Sequence, residues 1–218
     1  MIKKIYLHLL FLTFLSCKND VSEVQELNYL ALGDSYTIGE SLELGDSFPF
    51  QLKKKIDEIR KVKIIAKTGW TTGELIDSLN SIDIKKKYDF VSLLIGVNNQ
   101  YRNYDILSFE KEFEVLLNMA VSYSRNINNV FVLSIPDYGV TPYGLKNKEK
   151  IMAEINLYNQ IIKRITNIYN IDFYDITDIS REAERNKFLI ADDSLHPSKQ
   201  MYSQWVDKLY RDIELKIN

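Results

Sequence analysis

The chain has 218 residues, enough for one ordinary domain with a sizeable core. Hydrophobic residues make up 45% and charged residues 27%, which excludes a disordered chain. A formal net charge of -2 gives no basic surplus for a nucleic-acid partner, and Lys53-Lys54-Lys55 and Lys85-Lys86-Lys87 read as solvated faces flanked by acidic residues.

The N-terminus differs from the rest. Lys3 and Lys4 precede an apolar run from Ile5 to Leu15, followed by Ser16-Cys17. A basic start, a stretch too short to span a bilayer and a small residue at its end make a signal peptide over residues 1–17. Cys17 is the chain's one cysteine, so no internal disulfide is possible. Its position resembles a bacterial lipoprotein signal, with Phe14 where leucine is commonest. That resemblance implies lipidation at Cys17, export, and anchoring to a membrane of a bacterial envelope. Residues 18–27 read as a polar tether and 28–218 as the folded domain.

From there, short apolar runs alternate with longer amphipathic ones. Residues 29–32 read as a first buried strand, 50–59 as a helix, 62–66 as a second strand and 73–79 as a short helix. Residues 90–95 are a third, wholly apolar strand. Phe109, Phe113, Leu116, Leu117 and Ala120 recur at helical spacing. Residues 130–135 are a fourth strand, ended by Pro136. Ile151, Ile155, Tyr158, Ile162, Ile165 and Tyr169 form a helical stripe, residues 171–174 a short fifth strand, and Trp205, Leu209 and Ile213 a last helix. The aromatic residues on these stripes read as core.

Apolar strands alternating with helices imply an α/β fold with a parallel sheet covered on both faces. Ligands then bind beyond the carboxyl ends of the strands. Three loops fall there: Gly33-Asp34-Ser35, Thr68-Gly69-Trp70 and Gly96-Val97-Asn98-Asn99.

A serine hydroxyl needs an adjacent base to attack at neutral pH, and histidine suits that role. The chain has two histidines, and His8 lies in the expected signal peptide. The base for Ser35 is therefore expected to be His196, in Asp192-Asp193-Ser194-Leu195-His196-Pro197. Asp193, three positions earlier, can reach the other ring nitrogen across a turn. Ser35 and Gly69 can offer backbone N–H groups to an oxyanion and Asn98 its side-chain amide. Each such donor is worth roughly 3–4 kcal/mol.

These four blocks in this order resemble the SGNH hydrolases, or GDSL-type lipases and esterases, over about residues 28–216. The resemblance implies a flavodoxin-like three-layer α/β/α sandwich with a parallel sheet of about five strands. It implies Ser35 as nucleophile, His196 as base, Asp193 as its orienter, and an oxyanion hole from Ser35, Gly69 and Asn98. No G-x-S-x-G elbow occurs. One departure is Asn99, where the family usually carries an aspartate generally taken as structural.

The expected reaction is hydrolysis of a carboxylic ester through an acyl-enzyme, with no cofactor and no metal. The substrate is either a lysophospholipid or short-chain lipid ester, or an acetylated carbohydrate. Trp70, Tyr101, Arg102 and Tyr138 are candidate substrate contacts on the crevice rim, although they serve equally to pack the loops. Arg102 can meet a phosphate or carboxylate, and Asp105 is close enough in sequence to occupy it instead. The alternative from another class is a catalytically idle surface module that binds glycans in the same crevice.

Overall fold

A computed structural model describes residues 26–217 of the chain. The expected signal peptide, Cys17 and all but the end of the tether lie outside the described residues. Five strands, β1 (Leu27–Gly33), β2 (Ile59–Ala66), β3 (Phe90–Leu94), β4 (Val130–Leu133) and β5 (Asp172–Tyr174), form one sheet in the order β2-β1-β3-β4-β5. All four pairings are parallel. This is the flavodoxin-like order, and its switch point lies between β1 and β3.

Every residue of β3 and β4 is buried, which requires cover on both faces. Helix α2 (Phe48–Lys55) packs on α8 (Lys199–Leu215). Helix α3 (Thr72–Ser81) packs on α5 (Ile106–Tyr123), which also contacts α6 (Lys148–Ile168) and β3. Of the expected core aromatics, Phe109, Phe113, Tyr158 and Trp205 are buried, while Tyr169 is only partly so and donates its hydroxyl to Glu114 at 2.7 Å. Trp205 has no exposed surface and lies against the rings of Phe48 and Tyr202, binding α8 to α2. Edge strand β2 instead alternates, with Arg60, Lys61 and Lys63 exposed, a charged edge that discourages pairing with another chain.

The expected elements are present, with shifted ends. The helix expected over 50–59 stops at Lys55, and β2 begins at Ile59 rather than Val62. Ile56 is extended, and residues 57 and 58 turn the chain. Ile56 and Ile59 are both buried, so their three-residue spacing mimics a helix across a helix-to-strand junction. Leu27 is buried in β1 and does not belong to the tether. β4 ends at Leu133, two residues early, because the Asn159 side chain brackets Ile135. It accepts from the Ile135 N–H at 2.7 Å and donates to its carbonyl at 3.0 Å, in the place of a neighbouring strand.

Three short helices complete the set: α1 (Ser35–Ile38), a helix-like turn expected at Ser35, and α4 (Val97–Tyr101) and α7 (Thr177–Arg181), which were not expected. Each is too short to show periodicity. Each follows closely on a strand, and α1 and α4 face each other across the switch point.

Truncating Trp205 to alanine empties the junction of α2 and α8. The expected loss is about 3–5 kcal/mol of stability, read from the urea unfolding midpoint of Trp205→Ala against the parent.

Candidate active site

The site forms where β1, β2 and β3 release the chain. Gly33 ends β1 and Asp34 caps α1, its Oδ1 accepting from the Tyr36 N–H at 3.0 Å. Ser35 is the first residue of α1, so its N–H has no partner within that helix. On the neighbouring strand, Gly96 takes φ +128°, a conformation side chains rarely adopt, and opens α4. A Cβ there would also lie 2.8 Å from Phe109 and Ile135. This turn delivers Asn98 beside Ser35. After β2, Gly69 takes φ +83°, and its N–H makes no hydrogen bond among the described residues.

His196 arrives from the far end of the chain. The Ala191 N–H donates to the His196 carbonyl at 2.8 Å, closing a loop in which Ser194 is left-handed at φ +67°. Asp193 Oδ1 accepts the N–H groups of Leu195 at 3.0 Å and His196 at 2.9 Å. Asp193 Oδ2 then meets His196 Nδ1 at 2.5 Å, and His196 Nε2 lies 3.0 Å from Ser35 Oγ. The imidazole is buried, with the Tyr36 ring 5.2 Å away.

The two aspartates of the site are held in opposite states. Burial opposes the charge of Asp193. Hydrogen bonds from Ser41, from the His196 side chain and from the backbone outweigh it and hold the carboxyl at about 2. Nδ1 therefore carries the ring proton toward Asp193, and Nε2 is left to accept from the Ser35 hydroxyl. Asp34 is fully buried, and that burial pushes its carboxyl up to about 7, against smaller lowering effects from the backbone and from Asn98.

Ser35, Gly69, Asn98 and His196 line one cleft of about 180 Å³, together with Tyr101, Tyr138 and Tyr143. Asn98 Nδ2 donates to the Trp70 carbonyl at 3.0 Å and faces Asp34 Oδ2 at a longer 3.4 Å. Of the four rim candidates, Tyr101 and Tyr138 line the cleft; Trp70 and Arg102 do not. Trp70 is half-buried against the core. Arg102 donates to the Gly69 carbonyl at 2.6 Å and pairs with Glu74 at 3.2 Å, so it braces the Gly69 loop. Asp105 is not its partner; it caps α5 through the Ser108 N–H at 2.8 Å.

Sequence reasoning missed other participants. Tyr36 and Leu195 line the cleft and were signalled by adjacency to Ser35 and His196, while Thr68 and Val97 line it in the loops expected there. Tyr143 carried no such signal; it joins through its N–H, which donates to the Ser194 carbonyl at 3.3 Å. A larger hollow of about 830 Å³ beside β5, lined by Lys163, Asp172, Lys208 and Asp212, contains none of these groups. No cluster of His, Cys, Asp and Glu able to hold a metal ion occurs among the described residues.

A sequence model of the GDSL-like lipase/acylhydrolase family matches residues 31–204. The chain belongs to this family. This GDSL-family protein is accordingly an ester hydrolase. No curated protein sequence matches it. Among solved structures it is similar to a G-D-S-L lipolytic protein from Veillonella parvula, with a TM-score of 0.70 at 14% identity, covering 84% of this chain and 96% of that one. It is similar to a psychrotrophic esterase from Pseudoalteromonas, with a TM-score of 0.64 at 18% identity, covering 88% and 100%. It is also similar to an acetylxylan esterase from Geobacillus stearothermophilus, with a TM-score of 0.65 at 18% identity, covering 86% and 94%. At these identities the likeness is one of fold.

Asp34 makes the GDSL protein's stability depend on pH. Its carboxyl titrates near 7 when folded and near 3.9 when unfolded. The neutral carboxyl's contribution is fully present below about pH 4 and is lost as pH rises through about 7. Asp34→Asn keeps the oxygen that caps α1 and removes the buried charge. In urea unfolding it is expected to match the parent near pH 4 and to exceed it at pH 8 by a few kcal/mol.

Proposed function

We propose that this GDSL hydrolase cleaves short-chain carboxylic esters through an acyl-enzyme on Ser35. The observation that carries the reading is the unbroken chain from Ser35 Oγ to His196 Nε2 at 3.0 Å and from His196 Nδ1 to Asp193 Oδ2 at 2.5 Å. Ser35 Oγ attacks the ester carbonyl carbon while its proton passes to His196 Nε2. Asp193, already ionised, stabilises the imidazolium and keeps the ring in register. The carbonyl oxygen becomes an oxyanion facing the N–H groups of Ser35 and Gly69 and the Asn98 amide. For Asn98 this replaces the long contact to Asp34. The C–O bond then breaks, and the alcohol leaves with the proton from His196. Water attacks the acyl-enzyme by the same route in reverse, releasing the acid and restoring Ser35.

The cleft supports a small acyl group. At about 180 Å³ it is smaller than the roughly 300–1,000 Å³ of pockets that enclose drug-sized ligands. Its outer wall bears the hydroxyls of Tyr101 and Tyr143, 2.7 Å apart and both half exposed, which suit a polar alcohol better than an acyl chain. These features favour an acetylated carbohydrate over a lysophospholipid.

An exported lipoprotein anchored at Cys17 fits the same reading. The residues preceding Leu27 enter β1 at one end, and Ser35 follows its other end. Seven residues of strand put roughly 20 Å between the two. A lipid at Cys17 would thus tether the chain at the end of β1 opposite the cleft, leaving the cleft open to soluble or wall-bound esters.

Two measurements test these readings. On p-nitrophenyl esters from acetyl to palmitoyl, the rate is expected to fall at least tenfold along the series. Ser35→Ala and His196→Ala are expected to lose at least about a thousandfold on the acetyl ester. Equal rates for Ser35→Ala and the parent would remove the nucleophile assignment, and a rate rising toward palmitoyl would favour a lipid ester. In cell fractionation, Cys17→Ser should move from membranes to the soluble fraction; a variant that stays with the membranes rules out the anchor.

A further inference from the structure

The geometry points to Ser41 as a positioning residue of this hydrolysis: its hydroxyl fixes the carboxylate of Asp193 so that Oδ2 meets His196 Nδ1. The inference rests on the Ser35–His196–Asp193 reading above. Ser41 Oγ donates to Asp193 Oδ2 at 2.6 Å, on the same oxygen that faces the imidazole. The other oxygen, Oδ1, takes two backbone N–H groups from within Asp193's own loop. Among the described residues, Ser41 supplies the one hydrogen bond to this carboxylate from outside that loop.

That bond joins the two halves of the site. Ser41 lies six residues after the nucleophile, in the loop that leaves α1. The N–H groups of Gly39 and Glu40, just before it, both donate to the Ser35 carbonyl at 3.1 Å. The nucleophile's backbone, the loop behind it and the acid of the histidine loop are thus linked in series. Asp193 lies at the rim of the site, where water would otherwise compete for Oδ2. A fixed hydroxyl in that place sets the plane of the carboxylate.

The backbone at Ser41 matches this role. Its φ is +67°, a conformation that side chains adopt rarely and that glycine or asparagine adopts most readily. Serine's hydroxyl makes no other hydrogen bond among the described residues. Of the contributions that oppose burial and keep Asp193 ionised, the bond from Ser41 is the largest.

Three variants separate the hydroxyl from the backbone. Ser41→Gly relaxes the left-handed position and removes the hydroxyl, Ser41→Ala keeps the strain and removes it, and Ser41→Asn accepts the conformation while offering an amide donor. With p-nitrophenyl acetate, Ser41→Gly and Ser41→Ala are expected to lower kcat about tenfold with KM unchanged, and Ser41→Asn to recover most of the loss. The imidazole of His196, followed by NMR and assigned with His196→Gln, should titrate at lower pH in the glycine and alanine variants. A carboxylate free to turn meets Nδ1 less often and holds the imidazolium less well. A titration that stays at the parent's pH or rises in both variants overturns the proposal, whatever happens to kcat. This readout needs no turnover. It therefore remains decisive for Ser41 even where Ser35→Ala proves as active as the parent and the nucleophile assignment falls.

Discussion

The parallel contact between β1 and β3 is the constraint on which the site depends. Both strands are buried at their carboxyl ends, where Leu32 pairs with Leu93 and Gly33 with Leu94. In the order β2-β1-β3-β4-β5, the connections leaving β1 and β3 run to opposite sides, and their loops part at the sheet's edge. The parting leaves a crevice with a helix start on each flank: Ser35 opens α1, and Asn98 lies in the first turn of α4. The Ser35 hydroxyl and the Asn98 amide are then neighbours with no contact between their loops needed to hold them. Gly69 comes from β2 on the other side of β1. It needs a brace, because its loop leaves an edge strand, and Arg102 supplies one through the Gly69 carbonyl.

The same crevice sorts its carboxylates by the donors around them. Asp34 is deeper and has one short backbone donor at Oδ1 and one long amide contact at Oδ2. Burial wins there, and the group titrates near neutrality. Asp193 is shallower, with two backbone N–H groups, a hydroxyl and the imidazole arranged around its two oxygens. Donors win there, and the charge persists. A carboxylate that is to stabilise an imidazolium must be ionised before the ring takes a proton. Of the two, Asp193 meets that condition throughout the neutral range. Closeness to Ser35 in sequence would have selected Asp34, the one that does not.

Much of this was legible in the sequence. Wholly apolar runs such as Phe90–Leu94 can belong to a sheet covered on both faces, and stripes such as Ile151–Ile165 fix a helix without ambiguity. Ser35, Gly69, Asn98 and His196 were recognisable because each sits in a short loop tied to a strand end or to the last helix. What was not legible depended on side chains meeting across the fold. Ile56 and Ile59 look like one helix because both are buried, on either side of a turn. Arg102 was given either a substrate anion or the nearby Asp105, because its partners Glu74 and the Gly69 carbonyl are about thirty positions away. Ser41 and Asp193 are separated by 152 positions, and no local pattern links them.

The departure at Asn99 shows how such distant contacts make a local substitution coherent. Asn99 is fully buried behind the oxyanion loops. Its Oδ1 accepts from the Thr72 N–H at 3.0 Å, and its Nδ2 donates to the Thr72 hydroxyl at 2.6 Å. With its oxygen acting as acceptor there, the Thr72 hydroxyl sends its own proton to Glu112 on α5 at 2.5 Å. An aspartate at 99 would keep the first of these bonds and reverse the second. It would need the Thr72 proton for itself, leaving two carboxylates facing one hydroxyl. The amide is therefore the side chain that lets α4 and α5 both hold the first residue of α3, two positions after Trp70. The consequence reaches the site through Trp70, whose carbonyl is the anchor that holds Asn98 in the cleft.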